Sequence, residues 1–194
     1  IFGGYSGLNG RFLNKLNFKR LSMKKFLLAL AVTLSVFGAN AQSFKSMGIK
    51  VIGELGLDIE WATGKGVKGS YFGMITPGID ISVGKNVMPQ LFLGGGLGYD
   101  IKNGVRHFSV FSSAHEVKFF GHGRYYFEPA GSNLIADLKL GYKRNVTAET
   151  NAFEMFIGPG YMFSNKYAVS LGYNGSFYNG SSAHGLSFNF SVEF

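Results

Sequence analysis

The chain has no cysteine. Disulfides, thiolate metal sites and a lipid-modified cysteine anchor are therefore excluded within it. Charge is scarce, with only 15% of residues Asp, Glu, Lys or Arg, and there are four prolines and one tryptophan. Long apolar runs are missing as well. Outside the amino-terminal region no stretch of about 20 apolar residues occurs, so no segment there reads as a membrane-crossing helix. After residue 41 no periodic stretch fits a helix of any kind.

Acidic residues are absent from positions 1–41, which hold six basic ones: Arg11, Lys15, Lys19, Arg20, Lys24 and Lys25. The formal charge of +8 is thus concentrated at one end. Taking those six from the 19 basic residues leaves 13 against 11 acids, or +2. A nucleic-acid function argued from the basic balance fails on that distribution.

Residues 1–22 do not begin with Met and show no sustained periodicity. They are expected to be disordered translated sequence upstream of a start at Met23. Met23, Lys24 and Lys25 then open a secretory signal peptide. Its apolar core runs from Phe26 to Phe37, and Ala39-Asn40-Ala41 is a small-x-small cleavage site. About 12 apolar residues are too few to span a bilayer comfortably. The mature domain is expected to be residues 42–194, one domain without an internal linker.

What the chain does have is alternation. From Leu186 to Phe194 every second residue is apolar: Leu186, Phe188, Phe190, Val192 and Phe194. Ser187, Asn189, Ser191 and Glu193 stand between them. Period two over nine residues makes a strand with one apolar and one polar face. Seven similar stretches precede it, at about 49–61, 70–83, 89–101, 115–127, 134–144, 152–163 and 167–177. Turns are expected at 84–86 and 129–132, and loops near 62–69, 102–113, 145–151 and 178–184. The fold class is all-β: an eight-stranded antiparallel up-and-down barrel.

Alternation alone does not say which face points outward, since a water-soluble barrel alternates too. Two features decide: the signal peptide together with the terminal Phe194, and the placement of the aromatic residues. If both termini lie on the periplasmic side, Trp61, Tyr71, Tyr99, Tyr142, Phe153, Tyr173 and Phe177 fall near the outer strand ends. Tyr125, Phe127, Phe163, Tyr167 and Phe194 fall near the inner ends, with Leu, Ile and Val between. Two aromatic girdles around an apolar band are the mark of a transmembrane barrel. The other face carries Glu54, Asp58, Asp80, Asp137, Glu154 and Glu193 with Lys118, His122, Arg124, Lys139 and Lys143. Such charges belong in the lumen, which in an eight-stranded barrel is just wide enough for side chains to fill. Turn geometry at 128–133 places Arg124 opposite Asp137, and these two are expected to pair.

The signal peptide Met23–Ala41, the segment Val117–Tyr142 with its Arg124-Tyr125-Tyr126-Phe127 run and Gly141-Tyr142, and the strand Leu186–Phe194 resemble the small bacterial outer-membrane β-barrels. That family includes the OmpA transmembrane domain, the OmpX-like and the opacity-type barrels. The resemblance covers residues 42–194. It implies an outer-membrane location, contact with membrane lipids and lipopolysaccharide, and assembly by the barrel-assembly machinery reading the last strand and Phe194. It implies a monomer and no nucleic-acid partner. No periplasmic peptidoglycan-binding domain of the kind the larger OmpA-type proteins carry is expected beyond the barrel.

Catalytic motifs are thin. His107-Phe108-Ser109 matches two residues of the His-x-Ser arrangement used by outer-membrane lipid A deacylases, with Glu116 or Asp100 available to orient the histidine. His115, His122 and His184 are scattered, and no metal-site spacing is present. His122 falls in the lumen by parity and is expected to hydrogen-bond to a neighbour. Gly94-Gly95-Gly96-Leu97-Gly98 lies in a strand and precedes no helix, so it is no phosphate loop. Small residues there are expected to relieve crowding in the lumen. No catalytic, cofactor or metal residue is assigned. The reading is a non-enzymatic outer-membrane barrel with a structural or surface-interaction role. The alternatives are a narrow pore for small solutes or ions, and a lipid A-modifying enzyme using His107 and Ser109.

Overall fold

A computed structural model describes residues 48–64, 74–106, 109–127, 133–163 and 166–194. The expectations for residues 1–22 and for the signal peptide 23–41 lie outside these, as do the turn at 129–132, Tyr71 and His107. Eight strands form one closed antiparallel barrel in sequence order, with the last pairing back to the first. They are β1 (Ile49–Gly64), β2 (Met74–Met88), β3 (Leu91–Arg106), β4 (Ser109–Tyr126), β5 (Leu134–Asn145), β6 (Thr150–Phe163), β7 (Tyr167–Tyr178) and β8 (Ser181–Glu193). Closure removes every sheet edge, so the described strands hydrogen-bond on both sides.

Several strands run further than expected, because the hairpins are tighter. The turn expected at 84–86 is strand: Gly84 and Lys85 pair with Gly94 and Leu93, and the chain reverses instead at Pro89 and Gln90. The loop expected at 102–113 is also largely ladder, with Lys102 paired to Ala114 and Arg106 to Ser109. The loop expected at 178–184 shrinks to Asn179 and Gly180, with Tyr178 paired to Ser181. Gly180 has φ +86°, which the Asn-Gly pair supplies without strain. At 146–149 the turn is held by Asn145, whose Oδ1 accepts from the amides of Thr147 at 3.0 Å and Ala148 at 2.8 Å.

The barrel has two ends. The terminal end holds the start of β1, the close of β8 and the turn at 89–90. The far end holds the turns at 146–149 and 179–180. Along the strands, polar side chains turn inward and apolar ones outward. Glu54, Asp80, Arg124 and Asp137 are buried. Leu97 is 58% exposed, Leu171 56% and Leu186 55%. A soluble fold that left this much Leu and Ile on its surface would aggregate.

The wall is thin where glycines face one another. A Cβ on Gly172 would lie 2.3 Å from the Ile157 carbonyl oxygen and 2.7 Å from the Gly158 Cα. These are backbone atoms, so β6 and β7 would have to separate. Gly172→Ala is expected to cost about 1–3 kcal/mol, the usual range for overpacking. A urea-unfolding titration of the refolded protein measures it.

Candidate functional site

The candidate site is the lumen, and it is built in layers. At the terminal end Ile52, Phe92, Tyr126, Ile135, Met162 and Ala168 form a buried apolar floor. This adds apolar side chains to the polar and charged network expected there. Phe92, Phe120 and Phe156 sit at inward positions of β3, β4 and β6, and all are buried. Their parity was readable in the sequence, but their chemistry pointed to the wall.

Above the floor lies an ion-pair cluster centred on Arg124. Register places Arg124 opposite Asp137. The Arg124 Nε donates to Asp137 Oδ1 at 2.6 Å and its Nη2 to Oδ2 at 3.0 Å, the expected pair in its bidentate form. Nη1 donates to Glu193 at 2.8 Å, and Nη2 also reaches Ser191 at 3.1 Å and Glu54 at 3.5 Å. Tyr126 and Lys50 close the cluster on Glu193, each at 2.8 Å. One guanidinium thus ties β1, β4, β5 and β8 together.

His122 is buried beside it. Its Nε2 lies 3.3 Å from Asp137 Oδ1 and its Nδ1 2.9 Å from the Ser82 hydroxyl, so both ring nitrogens are hydrogen-bonded. That bears out the hydrogen-bonded reading. The structure also brings Glu54, His122 and Asp137 together, with one potential ligand atom from each within 4.8 Å of the others. Sequence spacing could not reveal this, because the three come from three strands. The carboxylates are already held: Asp137 by Arg124, and Glu54 by Lys139 at 2.6 Å.

The network continues upward. Lys139 bridges Glu54 and Asp80, and Lys118 bridges Asp80 at 2.9 Å and Asp100 at 3.0 Å. Inward glycines make the room: a Cβ on Gly78 would lie 2.0 Å from Asp100 Oδ1, and one on Gly98 2.1 Å from Asp80 Oδ1. A Cβ on Gly96 would meet the Phe120 ring at 2.5 Å, so the glycine run does relieve crowding. Lys139 lies over the rings of Phe120 and Phe156, at 5.3 and 5.7 Å from their centroids. Nearest the far end, Lys102 pairs with Glu60 at 2.9 Å and Lys143 with Glu116 at 3.1 Å. Asp100 and Glu116, considered above as partners for His107, are therefore both committed to lumen lysines. Beyond them a hollow of about 580 Å³ is bordered by Lys102, Glu116, Asn145, Asn151 and Tyr178.

The outer wall carries the expected bands. Near the terminal end Phe163, Tyr167 and Phe190 pack together with ring centroids 6.2–6.4 Å apart, and Tyr125 meets Phe127 edge-on. Near the far end Phe153 packs on Phe177. His115 and His184 join this second girdle. Tyr99 bonds His115 at 2.5 Å, and Tyr173 bonds His184, whose Nε2 meets Ser182 at 2.8 Å. The sequence left these two histidines unassigned.

No model of a known family matches the chain, and no curated protein matches it. Solved structures do match in fold. Ail, the attachment invasion locus protein of Yersinia pestis, aligns over 76% of this chain and 99% of its own, with TM-score 0.52 and 8% identity. The outer membrane enzyme PagL covers 72% of this chain and 98% of its own at 13% identity and TM-score 0.48. Neisserial surface protein A covers 76% and 97% at 15% identity and TM-score 0.48. The chain has the fold of the small bacterial outer-membrane β-barrels, as its alternating strands led us to expect, and its apolar, twice-girdled wall is the surface such a barrel turns to lipid.

Proposed function

We propose that the protein is a non-enzymatic, sealed barrel of the outer membrane, in which the wall meets lipid and the far-end turns meet the surroundings. The observation that carries this reading is the filled lumen. From the apolar floor at Ile52 and Phe92 to the Lys143–Glu116 pair, side chains occupy the axis. Interior groups committed to one another in this way give rigidity rather than passage. Function then falls to the exposed turns. Lipids and lipopolysaccharide are the expected partners of the wall, and the last strand is the expected substrate of barrel assembly.

The test is complementation of a strain that lacks the barrel. Wild-type protein is compared with a version whose 146–149 turn is replaced by Asn-Gly. A structural role predicts that both restore detergent resistance. A surface role predicts that only the wild type restores attachment to surfaces. The purified protein is expected to release no fatty acid from lipopolysaccharide. Release of fatty acid, abolished by His107→Ala, would overturn the reading in favour of the enzyme.

A further inference from the structure

Charge in the lumen is not evenly balanced. At the terminal end Arg124 and Lys50 face Asp137 and Glu193, with Lys139 reaching Glu54. Toward the far end Lys102 and Lys143 face Glu60 and Glu116. Between these clusters Asp58, Asp80, Asp100, Glu154 and Lys118 line one region. Lys139 also borders this region, but its charge is shared between Asp80 at 2.8 Å and Glu54 at 2.6 Å. Glu154 stands 3.9 Å from Lys118 and 4.0 Å from Lys143, beyond hydrogen-bond reach of both. Among the described residues Asp58 has no ion-pair partner, and its carboxylate accepts from Asn174 Nδ2 at 2.7 Å.

The same region contains a cavity of about 30 Å³, lined among others by Asp58, Asp100, Lys118, Glu154 and Asn174. That is enough for one water-sized occupant. Two buried oxygens at this cavity have no hydrogen bond: Asp100 Oδ2, whose carboxylate meets Lys118 through Oδ1, and Asn174 Oδ1. Asp100 is 1% exposed and Asn174 2%. Buried polar groups ordinarily find partners, and orphans of the same kind around one cavity call for an occupant. Both orphans are acceptors. The occupant must therefore offer positive charge or donated hydrogens.

We propose that this cavity binds one hard metal cation, of the calcium or sodium class, between Asp58, Asp100 and Asn174. Hard cations take carboxylate and amide oxygens, which is the donor set present. A cation relieves the surplus of carboxylates in a lumen walled off from water by hydrocarbon, where unpaired charge is costly. A lone water satisfies the orphan acceptors but leaves that surplus untouched. Bound metal would also pin β1, β3 and β7 at mid-height, where the Arg124 cluster does not reach.

The test refolds the protein from urea into detergent micelles in the presence of EDTA, then adds calcium or sodium separately. Bound metal is counted after gel filtration, and the melting temperature is followed by the mobility shift of the folded barrel on unheated gels. The expected result is about one calcium per barrel and a rise in melting temperature, both lost in Asp58→Asn and Asn174→Leu. A rise with sodium alone keeps the site and assigns it to the monovalent ion. Should Asn174→Leu fail to fold, Asp58→Asn, which keeps side-chain shape, carries the test. No bound metal and no shift with either ion would overturn the proposal. So would a carboxylic-acid carbonyl band in the infrared spectrum that disappears in Asp100→Asn, since protons would then be relieving the charge.

Discussion

Arg124→Ala is expected to be the most damaging single substitution in the lumen, costing about 3–5 kcal/mol of folding free energy. Arg124 is fully buried and donates to Asp137, Glu193, Ser191 and Glu54. Truncation removes the one group that compensates Asp137 on both oxygens, leaving buried carboxylates behind. Arg124→Lys recovers charge but not the two-pronged contact, so it is expected to fall between wild type and alanine. The double change Arg124→Met with Asp137→Leu removes donor and acceptor together and should regain much of the loss. Urea titrations of refolding measure all four proteins. A loss below about 1 kcal/mol for Arg124→Ala would place the pair in the range of solvent-exposed salt bridges and deny the cluster its structural role.

The second large effect concerns the wall. Leu97→Arg is expected to cost about 2–4 kcal/mol in a lipid vesicle, whereas Phe127→Arg should cost only about 0–1 kcal/mol. The two residues are almost equally exposed, at 58% and 57%. In water they would tolerate arginine alike. They differ in depth: Leu97 lies midway along β3, while Phe127 follows the end of β4 in the terminal-end girdle. The comparison therefore isolates the membrane. Equal tolerance of both changes would mean that the wall does not face hydrocarbon.

The fold was legible because one face of each strand is apolar and a slip by one residue would reverse every face. Leu186 to Phe194 and the outward set Leu55, Leu57, Ile59 stated that alternation plainly. The Arg124–Asp137 pair was legible for the same reason, since hairpin register follows from turn position. Hairpin ends were not. Gly84-Lys85-Asn86 carries turn residues, yet ladder pairing with Leu93 and Gly94 outweighs that local preference. Asn179-Gly180 did advertise a tight turn, and a longer loop was drawn around it. Contacts across the lumen were beyond reach in principle. Lys102 with Glu60, or Glu54 with His122 and Asp137, joins strands far apart in sequence and depends on how the barrel closes. The apolar floor was hidden because inward Phe92 and outward Leu93 have the same chemistry and only their parity separates them.

Whether the axis of this barrel is blocked is read by recording current across a planar bilayer into which the wild-type protein has been refolded, with insertion shown separately by protection from protease. A silent membrane is expected, because the floor of Ile52, Phe92, Ile135 and Met162 and the Arg124 cluster above it leave ions no path. Reproducible conductance steps from the wild-type barrel would contradict it, and would make the lumen charges the lining of a pore.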